Sequence, residues 1–213
     1  MTVKPRIVSF HTGQEPYTSY ARSLADSCAA FELDCLIQEL PDQGTWIENV
    51  ALKGPFMRRC MRRFDQPLLW IDVDGRIVAE PKLLYGMDAD FAIYAVKREW
   101  NWKPVGRERM SLPEAWPREL GPRWFLTGTM LINRTAAAKD LLERWAETSM
   151  ARPRDYQQLL LQEVWCMLPA LRTRWLPQGY CKISGFRWHD GEPMMTVIAH
   201  DLASSQLESC VRA

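Results

Sequence analysis

The chain has 213 residues, a mass of 24.8 kDa and a formal net charge of +1 at pH 7. The near-neutral charge argues against a strongly basic nucleic-acid binder, and the length is sufficient for one well-buried α/β domain. Because no apolar run approaches about 18 residues and the six cysteines include no CxxC, we expect a soluble cytoplasmic protein with reduced thiols, without disulfides, zinc, a signal peptide or a membrane span.

The first half of the chain alternates short apolar strands with amphipathic helices. Strands are predicted at residues 6–10, 33–40 and 68–71, and helices at about 17–31 and 46–64. This β-α-β-α-β order requires right-handed crossovers and gives a parallel sheet whose strand ends share one edge. In open α/β sheets, ligands bind at that edge.

The second half is less regular. Residues 100–124 are rich in Trp, Pro and Arg without a clear period, which is typical of a binding loop. Strands are predicted at 90–96, 172–176, around Tyr180 and at 195–198, a loop running into a strand at 125–133, and helices that begin at Thr135 and Asp155. The sequence therefore predicts an α/β fold, one domain with a mostly parallel central sheet flanked by helices.

Two carboxylates follow the central predicted strand. Asp72 and Asp74 come directly after residues 68–71, where a ligand at the sheet edge would lie. Carboxylates this close repel one another unless something positive lies between them, which favours a divalent cation with oxygen ligands. The alternative is that both merely shape the turn before Gly75. Since a repelling pair adds little stability, we expect the fold to survive replacement of either residue.

Other polar groups fall at comparable positions. His200 ends a late apolar strand, where a neutral imidazole could complete a metal site, although a lone histidine is more often a structural hydrogen-bonding group. Thr127-Gly128-Thr129 combines two hydroxyls with a glycine that lets a sugar or phosphate approach the backbone. Arginine outnumbers lysine 20 to 7, and one cluster is either a phosphate-binding patch or a solvated helix face: Arg58, Arg59, Arg62 and Arg63.

Six short motifs occur in order along nearly the whole chain, at residues 9–27, 46–56, 67–77, 128–145, 155–159 and 198–204. In this order they resemble the GT-A type glycosyltransferases, specifically a small phage and bacterial group with a DxD motif. The resemblance implies a Rossmann-like transferase that uses a nucleotide-diphosphate sugar, in the first place a UDP-sugar, with Mn²⁺ or Mg²⁺. It implies nucleotide binding by about 1–80, sugar and acceptor binding by about 81–213, and the host cytoplasm if the chain is phage-encoded.

The resemblance also assigns roles to single positions. Asp74 and His200 would bind the metal, Asp72 the metal or the donor ribose, and Asp155 the sugar or acceptor as a catalytic carboxylate. The remaining positions implied are Thr12 and Tyr17 around the base, Lys53 near the nucleotide, Thr127, Gly128 and Thr129 beside the sugar, Gln157 or Gln158 on sugar hydroxyls or the acceptor, and Ser204 or Ser205 on the diphosphate. The chain departs from the pattern at Tyr156, which precedes the glutamines, and at Gln206, where the usual Ser-Arg end has arginine.

Several alternatives stay open at this point. The acceptor implied by a phage enzyme is a 5-hydroxymethylated pyrimidine in DNA, held by the arginine cluster and the 100–124 loop, whereas a glycan or lipid-linked acceptor is the alternative. A haloacid-dehalogenase-type phosphatase also carries DxDG after an apolar strand, but on its first strand and with a later acidic pair that is missing here. A non-catalytic nucleic-acid-binding module would leave Asp72, Asp74 and His200 without a role.

Overall fold

The computed structural model describes residues 3–97, 113–120, 123–184 and 195–201. The strands are β1 (Arg6–His11), β2 (Cys35–Glu39), β3 (Leu68–Ile71), β4 (Gly75–Ile77), β5 (Phe91–Lys97), β6 (Arg123–Ile132), β7 (Thr173–Trp175), β8 (Lys182–Ile183) and β9 (Ile198–His200). The α-helices are α1 (Tyr17–Ala30), α2 (Trp46–Ala51), α3 (Lys53–Arg63), α4 (Ala136–Ala151) and α5 (Gln157–Cys166), with 3-10 helices at Lys82–Leu84, Arg118–Leu120 and Gln178–Tyr180.

Five of the six strands in the central sheet run in the same direction. Among the described residues the strand order is β2-β1-β3-β6-β5-β7, and β6 alone is antiparallel to its neighbours. All four residues of β3 are buried, as expected for a central strand that is covered on both faces. The predicted α/β fold, with a mostly parallel sheet flanked by helices, is confirmed.

A second, short sheet joins the segment after β3 to the end of the described chain. Its order is β4-β9-β8, and β4 pairs antiparallel with β9 so that Gly75 lies opposite His200 and Ile77 opposite Ile198. Asp74 O accepts a hydrogen bond from Asp201 N at 3.0 Å, which extends this pairing. Residues about 126 positions apart in sequence are thereby held side by side.

Helices cover both faces of the central sheet. The helix α1 packs Leu24 and Cys28 on one face, whereas α3, α4 and α5 pack on the other. The helices α3 and α4 meet closely at Gly54, where an added Cβ would lie 3.2 Å from Trp145 Cδ2 and 3.3 Å from Ala146 Cα. This close contact fixes the start of α3, which carries Lys53, against the sheet.

The structure corrects several predicted element bounds. The predicted helix at 46–64 divides into α2 and α3 at Leu52, because Pro55 lacks an N–H and its ring clashes with the carbonyl of Ala51 one turn earlier. The region of Tyr180 is a 3-10 helix rather than a strand, the last strand is β9 rather than 195–198, and β6 is extended from Arg123 onward. The helix expected from Asp155 begins two residues later.

Most of the expected binding loop at 100–124 lies outside the described residues. Within the described part, Trp116 is buried, and its ring contacts those of Phe125 and Trp165 at centroid distances of 5.8 and 5.3 Å. In the described ranges, no helix has the length and apolar character needed to cross a membrane. The single-domain organisation and its division near residue 80 stay predictions.

Candidate functional site

A cavity of about 400 Å³ lies at the carboxyl ends of β1, β2 and β3. Residues from the middle of β6, the start of α5 and the end of β9 complete its lining. It brings together ten of the residues that the sequence singles out: Thr12, Tyr17, Lys53, Asp72, Asp74, Thr127, Gly128, Gln157, Gln158 and His200. The position agrees with the general rule for ligands of open α/β sheets.

Asp72 is neutralised by a buried lysine. Lys53 Nζ donates to Asp72 Oδ1 at 2.6 Å and to Thr127 O at 3.2 Å, and Trp70 Nε1 donates to the same carboxylate oxygen at 2.7 Å. The lysine side chain is 4% exposed and that of Asp72 is 37% exposed. Since Lys53 would otherwise be a buried charge without compensation, Asp72 stabilises the fold, which corrects the expectation that either acid is dispensable for folding.

Asp74 and His200 form a second pair. Their Oδ1 and Nδ1 atoms are 3.4 Å apart, and the other ring nitrogen, Nε2, lies 2.9 Å from Thr129 Oγ1. Burial disfavours the charged imidazole, but the neighbouring Cys181 sulfur and the Asp74 carboxylate outweigh burial and raise the pKa of His200. A divalent cation that binds both groups would displace the proton between them.

Thr129 does not line the cavity, but its side chain contacts that of His200, which does. Its side chain is fully buried and contacts the imidazole nitrogen that faces away from Asp74. This hydrogen bond fixes the ring and leaves Nδ1 on the side of the carboxylate, in the manner of outer-sphere partners of metal-binding histidines. The structure therefore gives Thr129 a positioning contact, whereas its predicted place beside the donor sugar stays untested.

Two glycines enclose the imidazole of His200. An added Cβ would lie 3.0 Å from His200 Cε1 at Gly75 and 3.1 Å at Gly128. At Gly75 the added atom would also collide with Ile71 Cγ2 and lie 2.9 Å from Asp72 O. Gly75 therefore leaves no room for a side chain, whereas a methyl group at Gly128 would require the imidazole to shift by a few tenths of an ångström.

Gly75→Ala should therefore destabilise the fold and weaken metal binding together. We expect a loss of about 1–3 kcal/mol in the free energy of unfolding, because the methyl group must displace Ile71 or His200. Urea unfolding and Mn²⁺ titration measure the two effects. Gly86→Ala is the control. An alanine at Gly86 is strained because the backbone φ there is 61°, but Gly86 does not line the cavity. This variant should therefore lose stability and keep the metal affinity of the wild type. If Gly75→Ala bound Mn²⁺ as tightly as the wild type, the close packing of Gly75 against His200 would be contradicted.

The cavity lining includes three polar or aromatic residues to which the sequence analysis assigns no role: Asp42, Trp46 and Tyr156. Asp42 follows β2 and accepts hydrogen bonds from Asn49 Nδ2 at 2.7 Å, Gly44 N at 2.9 Å and Gln14 Nε2 at 2.8 Å. These donors lower the pKa of Asp42, the Asn49 amide most strongly. The other two, Trp46 and Tyr156, stack with ring centroids 6.1 Å apart. A carboxylate just after the second strand is a sequence signal for a ribose-binding group, so Asp42 could have been found from the sequence. Trp46 and Tyr156 are far apart in the sequence, and no motif or spacing relates them.

The start of α5 supplies amide groups to the cavity. Gln157 and Gln158 are both buried, and Gln157 Nε2 donates to Thr127 Oγ1 at 2.8 Å. Gln157 Oε1 is buried without a hydrogen-bond partner in the described part of the chain. Buried polar atoms are rarely left unpaired, so an unpaired amide oxygen in a cavity wall indicates a ligand or a water molecule.

Some predicted residues lie elsewhere. Asp155 is not among the cavity-lining residues, and its carboxylate accepts from Arg152 Nε at 2.7 Å. In the arginine cluster, Arg58 and Arg62 pair with Glu143 of α4 at 2.9 and 3.1 Å, and none of the four arginines lines the cavity. Ser204 and Ser205 lie outside the described residues. The roles predicted for these residues stay predictions.

The residues at the cavity floor suit a divalent cation. Asp74 offers a carboxylate oxygen and His200 an imidazole nitrogen, a donor set that suits Mn²⁺ and, less well, Mg²⁺. In the described ranges no group of three or more His, Cys, Asp or Glu side chains is arranged around one point. Two protein ligands are sufficient for a cation that takes its remaining ligands from water and substrate phosphates.

Comparison with solved structures identifies the fold. The chain is similar to a glycosyltransferase involved in the glycosylation of the major capsid of PBCV-1, with a TM-score of 0.59, 14% identity and coverage of 97% of this chain and 98% of that one. It is also similar to the galactosyltransferase LgtC in complex with donor and acceptor sugar analogs, with a TM-score of 0.58, 11% identity and coverage of 94% and 88%. No protein-family model and no curated protein sequence matches the chain. At these identities the likeness shows a shared fold.

Proposed function

We propose that the protein is a metal-dependent GT-A type glycosyltransferase that moves a sugar from a nucleotide-diphosphate sugar to a hydroxyl acceptor. The observation that supports this proposal most strongly is the pairing of Gly75 with His200. It places an imidazole nitrogen 3.4 Å from Asp74 in a cavity at the sheet edge. A haloacid-dehalogenase-type phosphatase has no use for this histidine. The fold shared with two glycosyltransferases supports the same conclusion.

Each polar group in the cavity has a use in such a reaction. A bound divalent cation supplies a Lewis acid that stabilises the charge of the departing nucleoside diphosphate. Asp74 and His200 would hold it, and Thr129 keeps the imidazole in place. Lys53 and Trp70 both donate to Oδ1 of Asp72, so the second carboxylate oxygen can accept a hydrogen bond from a donor hydroxyl.

The nucleotide fits the side of the cavity next to β1 and β2. Thr12 and Tyr17 follow β1, and Asp42 follows β2, where an acidic side chain commonly binds ribose hydroxyls in Rossmann-like proteins. Burial, with a further contribution from Asp74, raises the pKa of Tyr17, so the phenol stays neutral and can donate a hydrogen bond. A UDP-sugar is the donor to test first.

Metal-dependent release of nucleoside diphosphate tests this function. We expect one member of a panel of UDP-, GDP- and ADP-sugars to be turned over by the full chain with Mn²⁺ or Mg²⁺, and the activity to disappear in chelator. Differential thermal stabilisation by the correct nucleotide sugar and metal would identify the donor independently. A phosphoryl group trapped on Asp72 from a phosphate ester would replace the proposal with the phosphatase alternative.

The DNA acceptor expected from the arginine cluster gains no support from the contacts of that cluster. Arg58 and Arg62 are engaged by Glu143, and Arg59 and Arg63 lie over the rings of Phe56 and Phe64. Transfer to DNA containing 5-hydroxymethylcytosine or 5-hydroxymethyluracil, with a steep salt dependence, would revive this hypothesis. If the acceptor is not DNA, replacing all four arginines with serine should leave the rate of sugar transfer unchanged.

A further inference from the structure

We propose that Trp46 and Tyr156 form a stacking platform for the ring of an uncharged acceptor sugar, an inference that rests on the function proposed above. The two rings have centroids 6.1 Å apart at an interplanar angle of 27°. Both residues line the cavity, and both keep part of their surface exposed. The pair therefore offers apolar ring surface inside the cavity.

The platform is held by the ends of two helices. Trp46 is the first residue of α2, and Tyr156 directly precedes α5. Thr45 caps α2 by accepting from Glu48 N at 3.3 Å, and Arg154 reaches across to Glu48 with an Nε–Oε1 distance of 3.3 Å. Rings fixed by a helix cap and an ion pair between the two segments lose little further freedom when a ligand stacks on them.

The groups beside the rings suit a sugar. Gln157 follows Tyr156, and its buried Oε1 lacks a hydrogen-bond partner among the described residues. Gln158 is also buried and lines the cavity. A pyranose presents C–H groups on its face and hydroxyls at its edge, so an aromatic surface next to an unpaired amide oxygen matches both.

The charge of the cavity opposes a phosphate-bearing acceptor such as DNA. Among the described lining residues, four carboxylates outnumber the one lysine, Lys53: Asp42, Asp72, Asp74 and Asp201, of which Asp201 also pairs with Arg76 at 3.1 Å. A divalent cation offsets only two of these negative charges, and the donor diphosphate adds new ones. A neutral acceptor avoids this repulsion, whereas a nucleic-acid backbone next to the cavity would experience it.

Saturation-transfer NMR on the full chain with Mg²⁺ and UDP tests this inference. The probes are methyl α-D-glucopyranoside and methyl β-D-galactopyranoside. We expect saturation to reach the ring C–H protons of at least one glycoside, and Trp46→Leu to weaken its binding by about tenfold, as the loss of one aromatic contact implies. Trp46→Phe should restore most of the affinity. Trp175→Leu replaces a half-buried tryptophan outside the cavity and should bind the glycoside normally.

Two outcomes would overturn the platform. Binding of neither glycoside by the wild type would do so, as would a Trp46→Leu variant that loses UDP binding as strongly as glycoside binding, because the ring would then hold the base. Metal-dependent hydrolysis of the nucleotide sugar, measured separately, needs no acceptor. Hydrolysis without glycoside binding would remove the platform alone, whereas glycoside binding without any donor turnover would remove the proposed transferase function.

Discussion

Asp74→Ala is expected to lower kcat/KM for metal-dependent donor turnover by at least about 100-fold. Asp74 is the carboxylate that lies 3.4 Å from His200 Nδ1, so its removal takes away the oxygen that the proposed metal site offers beside the imidazole. The cation would then no longer stabilise charge on the departing diphosphate. Initial rates of nucleoside diphosphate release, with Mn²⁺ and with chelator, measure this effect.

The matched control is Asp140→Ala on the outer face of α4. Asp140 accepts from Arg144 one turn later and does not line the cavity, so its loss removes a carboxylate without touching the site. We expect its turnover to equal that of the wild type. Full turnover by Asp74→Ala in chelator would show that the reaction uses neither this carboxylate nor a metal.

The second large effect concerns stability. Asp72→Ala should lower the free energy of unfolding by about 3 kcal/mol, because Lys53 would be left buried without its counter-charge. This value is at the lower end for a broken buried pair, since the Asp72 side chain is 37% exposed. The double variant Lys53→Met/Asp72→Ala should be more stable than Asp72→Ala alone, because the uncompensated lysine is then absent.

Urea unfolding of the two single variants and the double variant completes a double-mutant cycle. We expect a coupling free energy of about 1–3 kcal/mol between Lys53 and Asp72. Additive effects of the two substitutions would contradict the ion pair. Both single variants should also lose donor turnover, whereas Asp72→Asn keeps an acceptor oxygen for Lys53 and should separate the loss of activity from the loss of stability.

The sequence carries enough local information for most of the strands and helices. Apolar runs and helical periodicity predict β1, α1, β3 and β5 closely, because these elements are decided by local pattern and burial. The break between α2 and α3 was also visible in principle, since Pro55 cannot sit inside a continuous helix. The apolar pattern on both sides of Leu52 nevertheless favours one long helix.

The contacts that build the site depend on long-range pairing. A strand of three residues, β9, is too short to be assigned from a pattern, and only its pairing with β4 explains why His200 meets Asp74. The same holds for Lys53, whose partner Asp72 was expected to face a metal alone. The contact of Trp46 with Tyr156 joins two helix starts that no spacing relates.

Mn²⁺ titration by electron paramagnetic resonance, with UDP present, tests the central claim most directly. Wild-type protein should bind Mn²⁺, and His200→Ala should bind it at least about tenfold more weakly, because only the proposed site requires the end of the described chain to return to Asp74. Asp140→Ala should bind as the wild type does. Unchanged Mn²⁺ affinity in His200→Ala would contradict the metal site and, with it, the transferase mechanism built on Asp74 and His200.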